Sequence, residues 1–131
     1  MAALPNVVVI GAMKCATTGT PVRGETSPGY TSPDHALAPG RMARVLPGAR
    51  LLYLVRDPVD RAVSQYEHHA REGAERRTLA EAVLDPDSQY VSRGRYLQRL
   101  EPFLHRFSGD RVQVVVQERL RDYRRRELRR V

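Results

Sequence analysis

The chain is poor in lysine and cysteine and has no long apolar run. Of its 22 basic residues 21 are arginine, and Lys14 is the only lysine. The single cysteine, Cys15, cannot close an internal disulfide, and no Cys/His spacing resembles a zinc site. No metal is expected. No stretch approaches the roughly 18 apolar residues that a membrane span needs. The opening, MAALPNVVVIGAMK, passes almost at once into a strand pattern, with no basic region, apolar run and small-residue cleavage site in series. A cytoplasmic chain without membrane contact is expected. There is no internal repeat, and the only biased segment is the arginine-rich end.

What is present fits one globular unit. With 131 residues, 41% apolar and 28% charged, the sequence reads as a single domain over 1–131 with a modest core. A net charge of +7 points to an anionic partner. Seven arginines, however, crowd residues 119–131, RLRDYRRRELRRV, and a single aromatic residue, Tyr123, gives no interleaved series for stacking on bases. That segment reads as a solvated helix face, and a nucleic-acid-binding module is kept as an alternative.

Residues 6–10, NVVVI, 50–55, RLLYLV, and 112–116, VQVVV, are β-branched or aliphatic runs of the kind found in parallel strands buried on both faces. PVRGE at 21–25 is a weaker edge candidate. Between them Asp57 is an N-cap, Pro58 suits the first helical position and Asp60 the first turn, so a helix is expected from 58 to about 72, stopped by Gly73. Val59, Ala62, Val63, Tyr66 and Ala70 define its buried face. Further helices are expected at 40–46, 78–84 and 92–107, the last with a stripe of Tyr96, Leu97, Leu100, Phe103, Leu104 and Phe107 and a kink at Pro102. Strands alternating with helices give an α/β fold with a short parallel sheet.

The turn after the first strand, GAMKCATTGT, holds the lone lysine. A small-residue turn leaving a parallel strand for a helix start presents backbone N–H groups to an anion, and Lys14 adds a compact, mobile charge that the planar arginine fork could not supply. It is not a Walker loop, because Lys14 is followed by Cys15 and Ala16 where that pattern needs a magnesium-binding hydroxyl. A kinase or ATPase is disfavoured. Cys15 has no evident histidine partner for nucleophilic work.

GAMKCATTGT resembles the 5′-phosphosulfate loop, G-x-x-K-C/G-G-T-T, of sulfotransferases that use 3′-phosphoadenosine 5′-phosphosulfate (PAPS). LLYLVRDPVDRAVSQY at 51–66 is similar to their 3′-phosphate motif, with Arg56 at a strand end and Ser64 eight residues later. GETSPGY at 24–30 and SRGRYLQRLEPFLHRF at 92–107 resemble two elements of the heparan-type and related bacterial branch. The resemblance implies a P-loop-like, three-layer α/β fold. It also implies sulfonate transfer from PAPS to a hydroxyl or amine acceptor, a small molecule or glycan, without metal. In it Lys14 would be catalytic and would bind the donor, helped by the backbone of Cys15, Ala16, Thr17 and Thr18, while Arg56 and Ser64 would hold the 3′-phosphate. A non-catalytic remnant that binds the spent nucleotide is the other reading of the same motifs.

The chain departs from that pattern in several places. Ala16 stands where the family usually has glycine, and Thr26 where some relatives have lysine. Gly19 and Pro21 end any helix after the loop within about a turn, where the family has a whole helix and a segment that often carries the general-base glutamate. A truncated or internally deleted domain is therefore expected. The remaining candidate bases are Glu25, for which a structural role near a tight turn is expected, and His68 and His69, which read as partly exposed surface residues.

Overall fold

The computed structural model describes residues 7–10 and 24–129. Strands β1 (Val7–Ile10), β2 (Gly24–Ser27), β3 (Arg50–Val55) and β4 (Val112–Val116) form one parallel sheet in the order β2-β1-β3-β4. The helices are α1 (Ala38–Val45), α2 (Pro58–Arg71), α3 (Leu79–Leu84), α4 (Gln89–Ser92), α5 (Tyr96–Leu104), α6 (Gln117–Asp122) and α7 (Arg124–Leu128), with 3-10 turns at Pro28–Thr31 and Pro33–His35. The result is the expected α/β class, a parallel sheet flanked by helices. No described helix is long and apolar enough to cross a membrane.

Chain direction decides where the core sits. The steps from β2 to β3 and from β3 to β4 both move the same way across the sheet, and right-handed connections then place their helices on one face. Accordingly Met42 of α1 and Leu100 and Phe103 of α5 pack with Phe107 on Val8, Ile10, Leu51 and Tyr53. Phe103, Ile10 and Leu51 are fully buried. A second, smaller cluster joins Ala62 of α2 to Ala82 and Tyr90, with Tyr66 against it.

Local signals explain most boundaries. Asp57 caps α2, accepting from the backbone N–H groups of Val59 at 2.9 Å and Asp60 at 3.0 Å. Thr78 and Glu81 form a reciprocal capping box at α3. Gly73, φ +73°, takes the left-handed position just past α2, as its stop signal implied.

Four expectations need correction. The edge strand runs Gly24–Ser27 rather than 21–25, and residues 21–23 lie outside the described residues. The helix expected over 92–107 is the shorter α5, Tyr96–Leu104, and Ser92 ends a separate helix, α4, with residues 93–95 between them. At Gly94 a Cβ would lie 3.3 Å from the Val91 carbonyl and 3.5 Å from Pro58, so a glycine there lets the chain turn against the start of α2. Leu97 and Leu104, expected on the buried stripe, are 69% and 42% exposed, because α5 ends two residues after Pro102 and meets the core through Leu100 and Phe103. Val59 and Ala70 of α2 are exposed as well, since the apolar packing of that helix on α3 and α4 is made by Ala62 and Tyr66.

Candidate functional site

Strand β1 lies between β2 and β3, with Ile10 opposite Ser27 on one side and Tyr53 on the other. The chain leaves β1 for one neighbour and returns later as the other, so the carboxyl end of β1 is a topological switch point, the place where open α/β sheets bind ligands. The expected phosphate loop begins there. Lys14, Cys15, Ala16, Thr17 and Thr18 lie outside the described residues.

Arg56 follows β3 directly and is half-buried at this same edge. Its neighbour Asp57 makes no ion pair with it: the Asp57 carboxylate caps α2, and its backbone N–H donates to Glu118 Oε1 of α6 at 2.9 Å. That bond, with the Arg56 charge a smaller influence, holds the Glu118 carboxyl below its ordinary range. Ser64 is exposed on α2, about two turns from its start.

Sequence reading missed the cations around Arg56. Arg61 Nη1 donates to Gln65 at 2.7 Å, and its Nη2 donates to the Tyr90 backbone carbonyl, which ties α4 to α2. Burial lowers the proton affinity of this guanidinium, with the nearby Tyr96 opposing and Arg93 adding to the effect. Tyr96 stacks edge-on against Tyr53 at 6.0 Å, and burial pushes the Tyr53 hydroxyl up to about 12. Tyr96 Oη faces Arg61 and the Arg56 backbone N–H, yet neither contact has full hydrogen-bond geometry; it is a buried polar atom without a partner, as are Nε of Arg61, Arg93 and Arg99. Among the described residues, ion pairs to carboxylates are made by His68, Arg77, Arg119 and Arg121, and by none of Arg56, Arg61, Arg93 or Arg99. Four arginines thus gather near the carboxyl edge without acidic partners. The signals that could have shown them were Arg61, three residues before Ser64 on one helix face, and Gly94 opening the turn into Tyr96.

The three candidate bases separate. His68 pairs with Glu72 at 3.4 Å and is exposed. The Nδ1 of His69 meets Tyr90 Oη at 3.0 Å. Both histidines lie in the last two turns of α2, roughly 16 Å along the axis from its cap at 1.5 Å per residue. Glu25 is on β2 beside β1, opposite Val8, and accepts a hydrogen bond from Tyr30. The Tyr30 hydroxyl is pushed up to about 12 by burial first and by Glu25 second. A cavity of about 670 Å³ opens along this stretch, between β2, the two 3-10 turns and α1. Among the described residues no group of His, Cys, Asp and Glu could hold a metal ion.

Residues 9–131 match the sequence pattern of a family described as the sulfotransferase family. In structure the chain is similar to a sulfotransferase from Alicyclobacillus acidocaldarius, with a TM-score of 0.69 and 27% identity over 81% of this chain and 46% of that one. It also shares its fold with the sulfotransferase domain from the curacin biosynthetic pathway, with a TM-score of 0.60 and 18% identity over 82% of this chain and 36% of the other. The chain therefore spans less than half the length of either. Comparison with curated protein sequences gives no significant match.

Proposed function

Because the chain belongs to the sulfotransferase family, we propose that it transfers a sulfonate group from PAPS to a hydroxyl or amine acceptor. The observation that carries this reading is the half-buried Arg56, without a carboxylate partner, at the end of the strand beside β1. In this reading Arg56 binds the 3′-phosphate with its planar fork and Ser64 donates to another phosphate oxygen, bonds that contribute on the order of 1.5–3 kcal/mol each. Lys14 and the backbone of Cys15 to Thr18 hold the 5′-phosphosulfate and stabilise charge on the departing 3′,5′-bisphosphate. Transfer of a sulfonate, which carries less negative charge than a phosphoryl group, rests on in-line positioning and charge stabilisation, so a lysine suffices.

The test compares two nucleotides that differ by the 3′-phosphate. Arg56→Ala is expected to weaken adenosine 3′,5′-bisphosphate by about a hundredfold, the equivalent of nearly 3 kcal/mol, and to leave adenosine 5′-phosphosulfate within threefold. Equal losses for both would refute the assignment of Arg56 to the 3′-phosphate.

A further inference from the structure

The cavity of about 670 Å³ beside β2 is lined by none of Arg56, Arg61, Arg93 and Arg99 and differs from that cluster in character. Its wall is largely apolar: Val8 lies at its floor, and Leu37 and Val45 of the α1 side, 68% and 52% exposed, stand at its rim. Its ionisable groups are the carboxylates of Glu25 and Asp34, the Arg41 guanidinium and the His35 ring. A chain of net charge +7 thus has here a cavity without cationic excess. Two carboxylates in such a space disfavour a polyanionic occupant, and large apolar side chains left at the rim favour one with an apolar body.

Position links the cavity to the switch point. Glu25 pairs with Val8, two residues before β1 ends, and lies on the strand that neighbours β1. Ser27 and Gly29 bring the chain round into the first 3-10 turn, with the Gly29 N–H bonded to Ser27 Oγ at 3.2 Å. At Gly29 a Cβ would come within 3.3 Å of Ser27 Oγ and 3.4 Å of the His35 ring. The glycine lets that ring close over the turn and sets Tyr30 to donate to Glu25 Oε1.

We propose that this cavity is the acceptor site, that it takes an uncharged hydroxyl compound with an apolar body, such as a phenol, and that Glu25 is the general base. The inference rests on the donor reading given above. In the step, the Glu25 carboxylate takes the hydroxyl proton while the acceptor oxygen forms a bond to sulfur. The bond from sulfur to the phosphate oxygen breaks, and its electron pair leaves with the 3′,5′-bisphosphate. Tyr30 orients the carboxylate through Oε1.

The probe is 2-naphthol, whose fluorescence is excited where the tyrosines of this tryptophan-free chain do not absorb. Saturable binding is expected, and Leu37→Asp and Val45→Asp, both at exposed positions, should each weaken it at least tenfold while leaving adenosine 3′,5′-bisphosphate affinity unchanged. With PAPS as donor, Glu25→Gln should lower kcat for 2-naphthol by about a hundredfold or more, within the usual range for a lost general base, with KM within threefold. Glu25→Asp should restore part of the rate. No binding of 2-naphthol, binding indifferent to both cavity substitutions, or faster turnover of a glucuronate-bearing oligosaccharide would overturn the assignment. If the bisphosphate fails to bind, the donor reading falls and the role of Glu25 falls with it, whereas naphthol binding lost in the Leu37 and Val45 variants would still place a ligand in the cavity.

Discussion

Replacing Arg61 with methionine tests whether the cations at the carboxyl edge are held in place or merely tolerated. The guanidinium makes two hydrogen bonds, to Gln65 Oε1 and to the Tyr90 carbonyl. Bonds from a charged donor contribute about 1.5–3 kcal/mol each. Against this stands the cost of keeping a cation half-buried beside Arg93. Methionine fills similar space without charge, so the loss should be about 2 kcal/mol, much of it from the Tyr90 carbonyl left without its partner. For a domain of this size that corresponds to a fall in Tm of roughly 6–10 °C. The assay is urea unfolding of wild type, Arg61→Met and Arg61→Lys, followed by circular dichroism. Lysine keeps the charge but cannot span both acceptors, so it should recover less than half of the loss. A methionine variant as stable as wild type, or more so, would mean that burial of the cation outweighs its bonds.

Three further outcomes follow from local structure. Gly73→Ala should cost about 1 kcal/mol in urea unfolding: nothing lies within 4 Å of the added Cβ, so the cost is the left-handed backbone alone, and a neutral result would place it elsewhere. Phe103→Ala, in the middle of the main core, should cost about 3–5 kcal/mol; a loss under 1 kcal/mol would show that α5 is not seated on the sheet as described. Hydrogen bonds from the Arg77 guanidinium, then from its backbone N–H, hold the Glu75 carboxyl at about 2, below its ordinary 4.5. A depressed carboxyl stabilises the fold above about 4.5 and loses that contribution as pH falls toward 2. Glu75→Gln should therefore flatten the fall in urea midpoint between pH 5 and 2, and an unchanged slope would contradict the pairing.

Much of this was legible in the residues. The β-branched runs, the Asp57–Pro58 start and the Gly73 stop placed three strands and α2, because each depends on neighbours close in sequence. The break at Gly94 was not, since it answers to Pro58, 36 positions away in the chain. The same holds for the site. Arg56 and Ser64 were visible as a spaced pair, whereas Arg61, Arg93 and Tyr96 gather only when α4 and α5 fold back onto α2, with Arg99 nearby beside Tyr53. Glu25 stood in a matched motif, but its hydrogen bond from Tyr30 and the cavity beside it depend on how the two 3-10 turns meet α1. Even Val59, a good fit to the helical stripe, is 67% exposed, because periodicity defines a face without saying how many of its turns find a partner.

The central claim is that the carboxyl edge of this sheet holds a 3′-phosphorylated adenine nucleotide. Calorimetric titration with adenosine 3′,5′-bisphosphate tests it most directly, run on wild type, Lys14→Ala and Arg56→Ala with circular dichroism to confirm that each is folded. The account predicts binding near micromolar affinity that both substitutions weaken at least tenfold. A folded wild-type chain that does not bind the nucleotide, or one whose binding both variants retain, would contradict it.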